Sequence, residues 1–196
     1  KLNLMAKLIG LNKIKTAVFI SGTGSNLKNL INFSKTKKSP ISIDLIISNT
    51  IKAKGLKFAN QYQIKKKIFN FKNIKTTEKK LFILLKKNKI KFICLAGFMK
   101  ILSSKFIKQF NGKIINIHPS LLPRYKGLNT HSRAIQNKDK FTGCSVHYVT
   151  EKLDSGKIIM QKKIKILKKD TPKSLAKKVL KQEHKLYPKA ILKIFN

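Results

Sequence analysis

Short apolar runs alternate with stretches of helical periodicity along most of the chain. Thr16 to Ser21 is apolar and ends in Gly22-Thr23-Gly24-Ser25-Asn26, after which Leu27, Leu30 and Ile31 recur at helical spacing. This predicts a strand, a glycine turn and a helix, with residues 1–15 as an extension ahead of the first strand. A second run, Ile41 to Ile47, leads through Ser48-Asn49-Thr50 into a helical pattern from about Ile51 to Gln61. Tyr62 to Phe71 can hold a short third strand, and Lys75 to Asn88, with Leu81, Leu84 and Leu85 on one face, reads as a helix. Lys91 to Leu95 is the next strand. A short helix near Ser103 to Phe110 precedes another strand, Lys113 to Ile117. Strands that alternate with helices imply βαβ crossovers and a mostly parallel sheet covered on both faces, an α/β Rossmann-like architecture.

The pattern changes after residue 140. Gly143 to Val149 alternates, and Lys157 to Ile166 follows across Leu153-Asp154-Ser155-Gly156, which predicts two adjacent strands at an antiparallel C-terminal edge. A closing helix is expected from about Pro172 to Tyr187, with Asp170 or Thr171 as its cap ahead of a proline in the first turn. With 196 residues the chain has room for one domain of ordinary size, and a single domain over 1–196 is expected. The longest apolar run, Phe92 to Met99, is far short of a membrane span, and Lys and Asn interrupt the N-terminal apolar residues too often for a signal-peptide core. A cytoplasmic protein is expected. Cys94 and Cys144 lack the spacing of a disulfide framework or a zinc site, which leaves them as reduced packing residues.

Charge changes the picture less than its size suggests. The formal charge is +38, and 43 of the 45 basic residues are Lys, spread over the whole chain. Specific reading of phosphates or bases leans on the guanidinium fork, yet only Arg124 and Arg133 are Arg. Ile (27 residues) and Asn (15 residues) are plentiful too, and all three types share AT-rich codons, so mutational drift accounts for the lysines economically. No specific nucleic-acid partner is expected. A positive field would still draw anionic small substrates.

Two segments carry candidate chemistry. The Gly22 to Asn26 loop joins a strand to a helix, where free backbone N–H groups and the helix dipole favour an anion such as phosphate; a purely structural turn is the lesser alternative. A dinucleotide site fits poorly, because Leu27 occupies the third glycine position and Asp44 lies inside the second strand rather than at its end. Asn116-Ile117-His118-Pro119-Ser120-Leu121-Leu122-Pro123 sits where a strand ends and a ligand crevice should open. Residues 116 and 118 are two apart on an extended segment, so amide and imidazole emerge on one face, a pair suited to an oxyanion. Pro119 and Pro123 would stiffen the exit. Of only seven acids, Asp154 stands in a loop beside a glycine, where it could reach the imidazole, although spacing alone also fits an ordinary turn carboxylate.

Taken together, these segments resemble the glycinamide ribonucleotide formyltransferase family, folate-dependent enzymes of purine synthesis. The matching pieces are Val18 to Leu27, Leu95 to Ser103, Asn116 to Pro123, Ser145 to Val149, Leu153 to Gly156 and Gln182 to Pro188, in the family's order and over roughly residues 16–192. The resemblance implies that Asn116, His118 and Asp154 are the catalytic trio and that 10-formyltetrahydrofolate is the donor, with no metal. It implies that Gly22, Gly24, Ser25 and Asn26 cradle the substrate phosphate and that Glu183 binds the ribose hydroxyls. It also implies that the pterin lies against Leu95, Met99, Lys100, Ile101 and Leu102. In the implied reaction the substrate amine attacks the formyl carbon, His118 and Asn116 hold the oxyanion, and Asp154 helps relay the proton to the leaving folate nitrogen. The expected molecule is a monomer or homodimer acting on small molecules. Four positions depart from the family pattern: Lys100 in place of Arg, Lys126 in place of Pro, Asn129 in place of His and Ser155 in place of Gly. The alternative is a sibling such as methionyl-tRNA formyltransferase, which carries a further C-terminal domain that a chain ending at Asn196 would not accommodate.

Overall fold

The computed structural model describes residues 13–195, so the expected N-terminal extension falls outside the described residues except for its last three. Two compact units emerge, one ending at Ile114 and including Phe195, the other running from Ile115 to Ile194.

In the first unit, β1 (Ile14–Ile20), β2 (Ile41–Ser48), β3 (Lys65–Ile68) and β4 (Phe92–Leu95) form parallel pairs in the order β3-β2-β1-β4. β1 is flanked on both sides, and Ala17 to Ile20 are fully buried without alternation, the signature of a strand covered on two faces. β3 is its opposite: Lys65-Lys66-Lys67-Ile68 is exposed throughout and guards the sheet edge with charge. Helices α1 (Ser25–Ser34), α2 (Leu56–Gln61), α3 (Ile74–Lys87) and α4 (Ser104–Gln109) alternate with the strands. Asn73 caps α3 by accepting from the Thr76 N–H, and Ser103 caps α4 by accepting from Phe106.

The helix expected over Ile51 to Gln61 is shortened at its start. Gly55 donates its N–H to the Gly22 carbonyl at 3.0 Å, and a Cβ on Gly24 would stand 2.5 Å from the Gly55 Cα. Two backbones meet there, and this contact fixes residues 51–55 as turns before α2 can begin. Ile51, which fits the helical pattern by its spacing, is 78% exposed and joins no buried face.

β5 (Lys113–His118) opens with the Lys113 N–H donating to the Lys91 carbonyl in the first unit and continues into the second. There it pairs antiparallel with β6 (Phe141–Tyr148), which pairs antiparallel with β7 (Ile158–Lys165), as the alternating segments predict. Helix α5 (Thr130–Gln136) leaves no trace in the hydrophobic pattern, because only Thr130 and Ala134 on it are buried and the rest gives no apolar stripe. Helix α6 (Pro172–Phe195) passes through Pro188 instead of stopping at Tyr187. Proline forfeits one intrahelical bond, but Ala190 and Ile191 continue the buried stripe of Leu175, Val179, Leu186 and Tyr187, and packing outweighs the loss.

The start of α6 is held by a reciprocal cap: Thr171 Oγ1 accepts from the Ser174 N–H at 3.1 Å while Ser174 Oγ accepts from the Thr171 N–H at 3.0 Å. Asp170 accepts from the Leu167 N–H, the Ser174 hydroxyl and Lys178. The bond to Lys178 comes first among the causes that lower its carboxyl to a pKa of about 2. Its ionised form therefore stabilises the fold above the unfolded pKa near 4, and the contribution fades as pH falls toward 2. Thr171→Ala should cost about 1 kcal/mol in urea unfolding, with an unchanged slope, while Asp170→Asn should flatten the acid limb of stability between about pH 4 and 2.

Candidate active site

Strand register assembles the site. Asn116 and His118 lie two apart on β5, and the antiparallel pairing sets His147 of β6 opposite Asn116 and Ser145 opposite His118. Asp154, in the loop between β6 and β7, has a left-handed backbone with φ of 46°. Its carboxylate is buried among the three: Oδ2 is 3.4 Å from His118 Nδ1, and Oδ1 is 3.4 Å from Asn116 Nδ2 and 3.5 Å from His147 Nε2. A stronger bond comes from the backbone, where the Gly127 N–H donates to Asp154 Oδ2 at 2.9 Å. The expected trio is thus brought together, with a fourth member, His147, to which the amino-acid sequence alone assigns no role. Its signal lies in the alternation of 145 and 147, but that signal needs the β5–β6 register to acquire meaning.

Backbone carbonyls set the hydrogen positions. His118 Nε2 lies 2.8 Å from the Tyr125 carbonyl, which only accepts, so Nε2 carries hydrogen and the uncharged ring presents Nδ1 as an acceptor toward Asp154. Likewise His147 Nδ1 donates to the Tyr148 carbonyl at 2.9 Å, so in the uncharged ring Nε2 accepts from the Asn116 amide at 3.3 Å. The contacts of 3.3–3.5 Å among the side chains are loose and leave room to tighten around a reacting group.

Burial is the largest influence on His118 and pushes its pKa below the usual 6.5, against the Tyr125 carbonyl and the Asp154 charge, which pull it upward. For Asp154, burial likewise acts first and would raise the pKa. The contact with His147, the Gly127 N–H and the closeness of both imidazoles together outweigh it, so the carboxyl ends below its ordinary value. At neutral pH the site holds an anionic Asp154 beside an uncharged His118.

The loop that follows β5 is pinned rather than merely stiffened by prolines. Ser145 Oγ donates to the Ser120 carbonyl at 2.6 Å and accepts from the Leu122 N–H at 3.1 Å, while Gln161 Nε2 donates to the Leu122 carbonyl at 2.9 Å. Glu183 lies buried on α6, near enough to add to the effect of burial on Cys144, whose thiol is pushed up to about 12. Cys144 is accordingly unreactive, as is fitting for a packing residue.

The other expected site residues belong to the first unit. Gly24, with φ of 76°, precedes α1 and offers no side-chain cap to it, while Gly22 accepts from Gly55 and Asn26 is buried. Leu95 and Leu102 are buried, whereas Met99 and Ile101 are 61% and 63% exposed and Lys100 is exposed between them. That segment is tied down at both ends: Met99 N–H donates to Ser21 Oγ at 2.7 Å, and Ser103 N–H donates to the buried Glu78 at 2.7 Å. Two apolar side chains are thereby held out on a fixed backbone. Among the described residues no group of three His, Cys, Asp or Glu side chains could hold a metal ion, and no helix is long and apolar enough to cross a membrane.

An uncharged base, an amide donor and a buried carboxylate around one point suit transfer of a carbonyl group to an amine. The comparison with known proteins agrees with that class: the chain belongs to the formyl transferase family, whose model matches residues 14–191. It is 42% identical over 180 residues to phosphoribosylglycinamide formyltransferase of Haemophilus influenzae, covering 90% of this chain and 85% of that protein. It is also 41% identical to the human trifunctional purine biosynthetic protein adenosine-3 over 91% of this chain, and there it spans only 18% of the relative's length. Among solved structures, phosphoribosylglycinamide formyltransferase of Brucella melitensis matches with a TM-score of 0.87 at 40% identity, over 93% of this chain and 95% of that one. The enzyme of the same name from Anaplasma phagocytophilum gives 0.85 at 42%, over 91% and 84%.

Because the Asp154 charge raises the pKa of His118, Asp154→Asn should lower it further. A histidine NMR titration should show the His118 midpoint moving to more acidic pH, and a midpoint that stays or rises would contradict an upward pull from the carboxylate.

Proposed function

We propose that this chain transfers the formyl group of 10-formyltetrahydrofolate to the amine of glycinamide ribonucleotide. The observation that carries the reading is the Asn116, His118 and Asp154 cluster, in which a half-buried amide and a buried imidazole each lie 3.4 Å from the buried carboxylate. Relatives that share two-fifths of the sequence over most of their own length bear the name of that activity, which favours it over methionyl-tRNA formyltransferase. The single family match over residues 14–191 supports treating both units as one functional domain.

The residues divide the chemistry among them. The amine nitrogen forms a bond to the formyl carbon, and the carbonyl π pair moves onto oxygen. The Asn116 amide donates to that oxyanion. His118 Nδ1, uncharged and an acceptor, takes the proton that the amine releases; Nδ1–H then becomes a donor, and the adjacent Asp154 carboxylate offsets the imidazolium charge. The oxyanion pair then re-forms the carbonyl as the carbon–nitrogen bond to the folate breaks, and that bond's electron pair leaves with the folate nitrogen, which receives the proton from His118. The Gly22 to Asn26 loop is assigned to the substrate phosphate, Glu183 to its ribose, and Leu95 with Met99 to Leu102 to the pterin. The exposed Met99 and Ile101 suit a flat aromatic ligand.

Purified protein given glycinamide ribonucleotide and a 10-formyl folate should release the deformylated folate, followed by absorbance. His118→Ala should lower kcat by about 10²- to 10⁴-fold with KM within a few-fold. A folded wild-type sample without turnover would overturn the assignment.

A further inference from the structure

In a chain where nearly every basic residue is Lys, both arginines converge on one side chain. Tyr125 has its ring 5.2 Å from the Arg124 guanidinium carbon and 5.0 Å from that of Arg133. Its hydroxyl donates to Asp139 Oδ2 at 2.7 Å and accepts from Asn137 Nδ2 at 2.9 Å, and Arg124 Nη2 pairs with Asp139 Oδ1 at 2.8 Å. Arg133 also donates from Nη1 to the Lys126 carbonyl at 2.8 Å. Asp139, one of seven acids in the chain, has a side chain only 9% exposed.

What this assembly holds is a short backbone segment in an unfavourable conformation. Tyr125 has φ of 54°, a left-handed value that is unfavourable for a bulky residue and persists only where its surroundings impose it. The same segment supplies both backbone groups that orient the site: the Tyr125 carbonyl accepts from His118 Nε2, and the Gly127 N–H donates to Asp154 Oδ2. Lys126 between them carries a further tie, its ammonium donating to Ser155 Oγ at 2.5 Å beside Asp154. A Lys in place of Arg133 would keep the charge but lose the planar fork that meets a ring and a carbonyl together.

We propose that Arg133, Tyr125 and Asp139 form a clamp of positioning residues that fixes segment 125–127 and, through its two backbone groups, the tautomer of His118 and the aim of Asp154. This rests on the reading of His118 and Asp154 as catalytic. The clamp touches no reacting atom.

The test uses the full chain with Arg133→Lys and Tyr125→Phe made separately, and urea unfolding establishes that each is folded. Nitrogen NMR of the histidine rings reads the His118 tautomer without any turnover. Wild type should show hydrogen on Nε2, and each variant should show a mixture with Nδ1–H. In the formyl-transfer assay each should lose kcat by roughly ten- to a hundred-fold, with both KM values within two-fold. A tautomer unchanged in both variants, or wild-type kcat in both, overturns the clamp; so does a loss confined to KM, which would make these residues part of substrate binding. A tautomer shift in a protein whose wild type lacks turnover instead sustains the clamp and removes the assigned reaction.

Discussion

The second unit is organised around one buried anion. A carboxylate removed from water loses several kcal/mol of solvation unless its surroundings replace it, and Asp154 accepts from a backbone N–H and an amide, with two imidazoles packed against it. Each of these partners depends on a different part of the fold. Asn116 and His118 need β5 extended, His147 needs the β5–β6 register, and Gly127 needs the turn after Pro123 to bend back. Slipping that register by one residue would move His147 to the other face and leave the carboxylate short of a partner.

The two units contribute different things to the assigned chemistry. The first holds the segments proposed to bind ligands on rigid supports: a glycine turn held by a second glycine, and an apolar ridge tied down at Ser21 and Glu78. The second offers a desolvated reactive cluster. The contrast is physical, because a group that must change protonation gains from burial, whereas a group that grips a ligand must stay reachable.

Lysine makes up 43 of the 45 basic residues, whereas the few acids stand in specific contacts. Asp154, Asp139, Asp170, Glu78 and Asp44 all accept hydrogen bonds, and Glu183 is buried. The lysines line exposed faces and the β3 edge, where a solvated point charge is tolerated at almost any position.

Hydrophobic periodicity alone determined the α/β class, the order of strands and most helices, because burial of apolar residues on one face is a local signal repeated at 2.0 or 3.6 residues. It also placed Asn116 beside His118, since residues two apart on a strand share a face. The pattern misplaced the start of α2, missed α5 and ended α6 early. The Gly24–Gly55 contact, the packing beyond Pro188 and the polar surface of α5 are decided by neighbours distant in sequence. Only tertiary structure could bring Asp154 to the imidazole, set His147 beside it, and turn Tyr125 and Gly127 into hydrogen-bond partners of His118 and Asp154. Those relations run through register, backbone carbonyls and amides, which every residue possesses and no side-chain pattern reveals.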